Sequence, residues 1–180
     1  MEGVQKAFPY LKENSDLAKT IKIVINNIED NPEHATVGYG GLPNREGDVE
    51  LDAAFMDGST GYYGGIMGAK GIANPIDAAI ELSRRHLNCL LSGPGAEQFA
   101  RIHGLPFRNM LTPASKKRWE EELSRRNNRT INHGQIQDQV ESPGQNQADN
   151  PGHDTVCVIA RKDKNISVGV STSGLFRKEA

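Results

Sequence analysis

The residues best suited to chemistry meet at one junction, Gly152-His153-Asp154-Thr155-Val156. A stretch rich in asparagine and glutamine runs there into a buried-strand pattern, Val156-Cys157-Val158-Ile159-Ala160, headed by Thr155. A hydroxyl is a poor nucleophile near neutrality until a base removes its proton. Breaking the peptide bond before Thr155 would free an α-amine on that same residue. Its reference pKa of about 8 makes it a usable base. Asp154 and His153 are the proton-transfer groups nearest the bond that would break. A sheet would hold the hydroxyl in place while the polar segment withdraws. The plain alternative is an ordinary strand residue after a solvated loop, since motifs this short arise often by chance.

Other constellations carry less. Gly93-Pro94-Gly95 resembles half of a phosphate-binding fingerprint, but Gln98 stands where the third glycine belongs, and a capped helix start fits better. There is no Gly-x-Ser-x-Gly elbow. His34, His86, His103, His133 and His153 lack metal-ligand spacing. Asp52 and Asp57 lie at odd spacing along one strand, so they face opposite ways and form no carboxylate pair. These readings point away from metal, cofactor and phosphate chemistry.

Composition narrows the partners. The 180 residues are 36% hydrophobic and 24% charged, with a net charge of −2, which offers no overall basic field for nucleic acid or an acidic membrane. Lys116-Lys117-Arg118 and Arg125-Arg126 flank Glu120-Glu121-Glu122, the pattern of a solvated, ion-paired helix face. No stretch is apolar over a membrane-spanning length. Met1-Glu2 opens a mixed segment unlike a secretory signal, so the default expectation is cytoplasmic. Cys89 and Cys157 sit in apolar runs and are expected to be buried free thiols. Two Asn-x-Ser/Thr sequons, at Asn128 and Asn165, would matter only in an exported protein.

The elements that must position Thr155 follow from periodicity. Leu17, Ala18, Ile21, Val24, Ile25 and Ile28 predict an amphipathic helix over 15–29, stopped by Asp30-Asn31-Pro32. Val49, Leu51, Ala53 and Phe55 alternate into a strand ending at Asp57-Gly58, paired as a hairpin with 61–68. Asn74-Pro75-Ile76-Asp77 starts a helix, with Asn74 as its cap and Arg84-Arg85-His86 in its last turn. A short strand over 87–91, a helix over 95–103 and a weakly amphipathic helix over 113–126 follow. Residues 127–154 hold too little apolar surface to offset the entropy of ordering, which predicts a mobile linker. Strands at 156–160 and 166–172 close the pattern as a hairpin around 162–165. Helices paired between hairpins predict a layered α+β domain.

Several long blocks then occur in a telling order. His153-Asp154-Thr155 follows Val37-Gly38-Tyr39-Gly40-Gly41-Leu42-Pro43-Asn44 and Glu50-Leu51-Asp52-Ala53-Ala54-Phe55-Met56-Asp57-Gly58. Between them stand Gly71-Ile72-Ala73-Asn74-Pro75-Ile76 and Leu90-Leu91-Ser92-Gly93-Pro94-Gly95-Ala96, with Ser171-Thr172-Ser173-Gly174 after the junction. Over roughly 17–176 the chain resembles the glycosylasparaginase family of N-terminal-nucleophile hydrolases, within the type 2 asparaginases. The resemblance implies a four-layer αββα sandwich and a precursor that cuts itself between Asp154 and Thr155, with Asp154 assisting and His153 beside it. Residues 1–154 would form an α-subunit-like region and 155–180 the start of a β-subunit. Thr155 would be the nucleophile and Thr172 would support its hydroxyl from the next strand. The implied reaction cleaves the amide joining N-acetylglucosamine to asparagine, without metal or cofactor. Relatives act on isoaspartyl peptides or asparagine.

The same resemblance implies an αβ heterodimer after cleavage and a dimer of these, in a lysosome or an exported bacterial form. Against that pattern the chain is expected to be incomplete at both ends. The family's leading strand with its tryptophan is missing, and Trp119 lies elsewhere. The later Gly-Arg-Val-Gly-Asp-Ser and Thr-Gly segments are missing too, and Arg177 precedes the place of that arginine. The alternative expectation is therefore a non-catalytic remnant acting as a binding module.

Overall fold

The computed structural model of this chain describes residues 2–85, 87–132 and 155–174. Two helices open it, α1 (Glu2–Glu13) and α2 (Leu17–Glu29). The first goes unannounced by the sequence pattern because Pro9 lies inside it, where a proline removes a hydrogen bond and crowds the preceding turn. Packing overrides that cost. Gly3 and Ala7 are buried, and the Lys162 ammonium donates to the carbonyls of Leu11, Lys12 and Asn14 at the helix's end, at 3.0, 2.9 and 3.0 Å. In α2 the Asp16 carboxylate caps the Lys19 N–H at 2.9 Å, and Leu17, Ile21, Val24 and Ile25 are buried as their spacing predicts.

The sheet has five strands in the order β3-β2-β1-β5-β4, built from β1 (Glu50–Asp57), β2 (Tyr63–Lys70), β3 (Leu90–Ser92), β4 (Val156–Lys162) and β5 (Asn165–Thr172). Strands β1 and β2 form one antiparallel hairpin and β4 and β5 another, joined by the antiparallel β1–β5 pair, while β3 runs parallel to β2. Between them come α3 (Pro75–Ser83), α4 (Gly93–Ile102) and α5 (Pro113–Asn132). Leu51, Ala53, Phe55 and Ile66 meet Ile21, Ile25, Ile76, Ala79 and Leu82 in one core on the helical side of the sheet. The architecture is α+β: among the described residues one helical layer packs on one face of one sheet, two of the four layers expected of an αββα sandwich.

Some sequence expectations need correction. Val156–Lys162 is not a strand buried on both sides; its burial alternates, and Cys157 is exposed, so its expected buried thiol is not found, while Cys89 is half-buried and both are free. The period-2 pleat puts Cys157 on the face that no helix covers. Helix α5 runs through Asn132, six residues past the expected end at 126, so the stretch read as linker begins inside a helix. Arg125 to Asn132 contains no helix breaker, and the first glycine comes at Gly134. The remainder of that linker, 133–154, lies outside the described residues. Asn74 occupies the N-cap position of α3 without a side-chain cap bond, and its amide instead reaches Asp30 at 3.2 Å. The missing acceptor comes from Glu29 at the end of α2, whose carboxylate takes the Ile76 N–H at 3.1 Å. Helix α3 ends at Ser83 with Arg84 as C-cap, one turn before the expected His86.

Candidate functional site

Strands β4 and β5 bring the two threonines together. Val156 stands opposite Ser171 in their antiparallel register, so one step further puts Thr155 beside Thr172. Thr155 is exposed at the head of β4. Side chains on this edge alternate, with Ser167, Gly169 and Ser171 turned to the helices and Val168, Val170 and Thr172 to the uncovered face. The register thus places Thr155 on the same face as Thr172.

Thr172 is held from two directions. Its hydroxyl donates to the Thr36 carbonyl at 3.3 Å and accepts the Gly174 N–H at 3.0 Å. The Ser173 N–H donates to the same Thr36 carbonyl at 2.7 Å, which ties the end of β5 to the loop after α2. That loop is anchored in turn. The Tyr39 N–H donates to the Glu29 carbonyl at 2.7 Å, and the Ser115 hydroxyl at the start of α5 donates to the Gly40 carbonyl at 2.6 Å. Gly38 adopts φ +65°, and a Cβ there would come within 2.5 Å of the Glu29 carbonyl oxygen. The block from Val37 to Asn44 is therefore a buried brace for the threonine pair.

On β1 the neighbour of Thr172 is Asp52, which the sequence reading passed over as one half of a failed carboxylate pair. Asp52 lies on the open face and accepts the Gly68 N–H at 2.8 Å beside a bulge in the β1–β2 pairing. Asp57 belongs to the far end of the same strand, where it accepts from Ser59 at 2.9 Å (N–H) and 2.7 Å (Oγ). Thr155, Thr172 and Asp52 thus form a row across three adjacent strands. Only the cross-strand register reveals it, because the three lie far apart in sequence.

Behind the row, on the helical side, Glu29 is fully buried. It accepts the Ser171 hydroxyl at 2.7 Å and the Ile76 N–H at 3.1 Å. Burial pushes its carboxyl up to about 7, against hydrogen bonds from Ser171, Ile76 and Asn74 that favour the ionised form. Of the other residues singled out by sequence, Asp154 and His153 lie outside the described residues. The Trp119 ring packs on Gly47, away from the threonines. His103 stacks on Phe99 with ring centroids 4.1 Å apart and approaches Glu81 at 3.5 Å, in keeping with a structural role.

Comparison with known proteins bears on this arrangement. A protein-family model described as Asparaginase matches residues 1–180. The chain is 32% identical to an isoaspartyl peptidase/L-asparaginase of Rattus norvegicus, over 98% of this chain and 50% of that protein. It is also 32% identical to a plant-type L-asparaginase of Pyrococcus abyssi, over 99% of this chain and 58% of the relative. An N(4)-(beta-N-acetylglucosaminyl)-L-asparaginase of Elizabethkingia miricola is 30% identical over 96% of this chain and 46% of its own length. The chain spans about half the length of these relatives.

Proposed function

We propose, from the premise that this chain belongs to the asparaginase family, that it carries the nucleophile of an amidohydrolase acting on a substituted asparagine side chain. The observation that supports this reading is the register that sets Thr155, first residue of β4, beside a Thr172 hydroxyl held at both its donor and acceptor sides. In the precursor the Thr155 Oγ attacks the carbonyl carbon of Asp154, and the acyl group moves from nitrogen to oxygen. Water then hydrolyses that ester, leaving Asp154 with a free carboxylate and Thr155 with a free α-amine.

In the mature form the α-amine accepts the Thr155 hydroxyl proton as oxygen attacks the side-chain carbonyl of the substrate. The departing amine takes up the proton, a β-aspartyl ester remains on Thr155, and water releases aspartate. The Thr172 hydroxyl gives its one proton to the Thr36 carbonyl and accepts the Gly174 N–H, so its remaining lone pair accepts from the Thr155 hydroxyl or α-amine and orients the attacking group. The substrate we favour is asparagine linked to N-acetylglucosamine, since the blocks around Gly38 to Asn44 and His153 to Thr155 follow the glycosylasparaginase pattern. Isoaspartyl peptides and asparagine form the second reading, favoured by the likeness to the rat isoaspartyl peptidase/L-asparaginase and the archaeal plant-type L-asparaginase.

Intact mass under denaturing conditions, with a Thr155→Ala control, tests the proposal. Two fragments split between Asp154 and Thr155, absent from the control, are expected. A single uncut chain in both samples would remove the self-processing reading and favour a non-catalytic role for this part of the fold. Release of N-acetylglucosaminylamine against ammonia then separates the two substrate readings.

A further inference from the structure

We infer that Glu29 is a positioning residue for the Thr155–Thr172 pair, acting through Ser171; its meaning for catalysis rests on the function proposed above. Glu29 touches neither threonine. It fixes what lies on both sides of them. Its carboxylate receives the Ser171 hydroxyl at 2.7 Å, and Ser171 pairs with Val156 of β4 on one side and Ala53 of β1 on the other. Ser171 and Thr172 are adjacent and face opposite ways, so a shift of the Ser171 backbone is a shift of Thr172.

The second connection runs through the main chain. The Glu29 carbonyl accepts the Tyr39 N–H at 2.7 Å, with Gly38 closed against the same carbonyl. Three residues before Tyr39 stands Thr36, whose carbonyl takes the Thr172 hydroxyl at 3.3 Å and the Ser173 N–H at 2.7 Å. One residue thereby holds the strand that carries Thr172 and the loop that receives its hydroxyl. An ionised carboxylate only accepts hydrogen bonds, so it sets the direction of the Ser171 O–H while also taking the Ile76 N–H. Both donors converge on one oxygen, Oε1, so Glu29→Gln keeps an acceptor there and removes only the titration, whereas an apolar side chain leaves the Ser171 hydroxyl and the Ile76 N–H without their acceptor. The charged groups facing this site are Asp77 on α3, itself paired with Lys22, and Asp30, paired with Arg108. The Arg108 guanidinium also reaches the Glu29 carbonyl at 3.4 Å.

The test uses the full chain labelled with 13C at threonine methyls, observed by NMR beside the intact-mass assay of self-cleavage. Glu29→Leu and Ser171→Ala are both expected to displace the Thr172 methyl signal while Thr60 and Thr112 stay in place. The Thr172 signal is expected to titrate near neutrality in the unaltered chain and to stop doing so in Glu29→Gln. Self-cleavage is expected to slow about tenfold in Glu29→Leu and Ser171→Ala. Lys162→Met, which loosens the far end of β4, serves as control: it lowers the urea midpoint and leaves the Thr172 signal unmoved. Should Glu29→Leu fail to fold, Ser171→Ala removes a single hydroxyl and carries the comparison.

A Thr172 signal unmoved in folded Glu29→Leu and Ser171→Ala, or displaced equally by Lys162→Met, would overturn the inference. Cleavage at the unaltered rate in both variants would overturn it as well. Absence of cleavage in the unaltered chain together with a displaced Thr172 signal would refute the proposed function and leave the positioning contact standing.

Discussion

Glu29 makes folding depend on pH, with a sign that follows from its burial. Its carboxyl stands near 7 in the folded chain against an ordinary 4.5, so between those values the folded state binds a proton that the unfolded state does not. The stabilisation is full below about 4.5 and is lost as pH rises through about 7. The difference is on the order of 3 kcal/mol. Urea unfolding of the unaltered chain should therefore show this contribution falling between about pH 4.5 and 7, and Glu29→Gln should flatten the slope. A slope that survives the substitution would assign the titration to another group. At the same scale, Thr172→Val keeps the side chain's shape and removes the hydroxyl that links Thr36 and Gly174. Loss of one such oriented group is expected to lower the rate of Thr155 chemistry by about two orders of magnitude, with Thr172→Ser restoring most of it. Fragment formation over time measures both.

Elements are coupled where backbone meets backbone. Gly64 of β2 lies against the Ala79 carbonyl, the Ser83 N–H and Leu82 of α3, closer than any side chain allows. Gly64→Ala would push α3 off the sheet and is expected to cost about 3 kcal/mol, read as a lower urea midpoint. A cost below about 1 kcal/mol would mean that α3 shifts freely, at odds with Ile76, Ala78 and Leu82 being fully buried. The far end of β4 depends on a different device. Lys162 closes the carbonyl end of α1 with three hydrogen bonds, the arrangement that a helix C-terminus favours for a cation. Lys162→Met is expected to fray α1, lowering stability by about 1 kcal/mol and raising amide exchange over residues 10–14.

At the scale of the molecule, the described residues pack helices on one face of the sheet and set no element against the other. Met56, Met67, Leu90 and Ile159 are all more than two-fifths exposed, and they extend from β3 at one edge to β4 at the other. Exposed apolar side chains gathered on one face favour binding of apolar molecules. The chain should bind an apolar fluorescent dye such as ANS. Replacing Met67 and Ile159 with lysine should cut that signal sharply with little change in stability, since neither side chain enters the core. Dye binding unaffected by the double substitution would place the apolar surface elsewhere.

The sequence alone determined the elements whose signals are local. Apolar spacing specified α2, alternation specified the β1–β2 hairpin, and Pro75 after Asn74 specified the start of α3. It also singled out Thr155 and Thr172, through ordered blocks resembling a known family. Tertiary structure alone decided what depends on partners distant in the chain. Helix α1 forms despite Pro9 because Lys162 and α2 hold it. The cap of α3 passes from Asn74 to Glu29, which is 47 residues from the N–H it receives. Asp52 joins the threonine row, and Glu29 lies behind it, through strand register and helix packing. No local pattern encodes such placements, because period and propensity set how a segment folds but not which segment lies across from it.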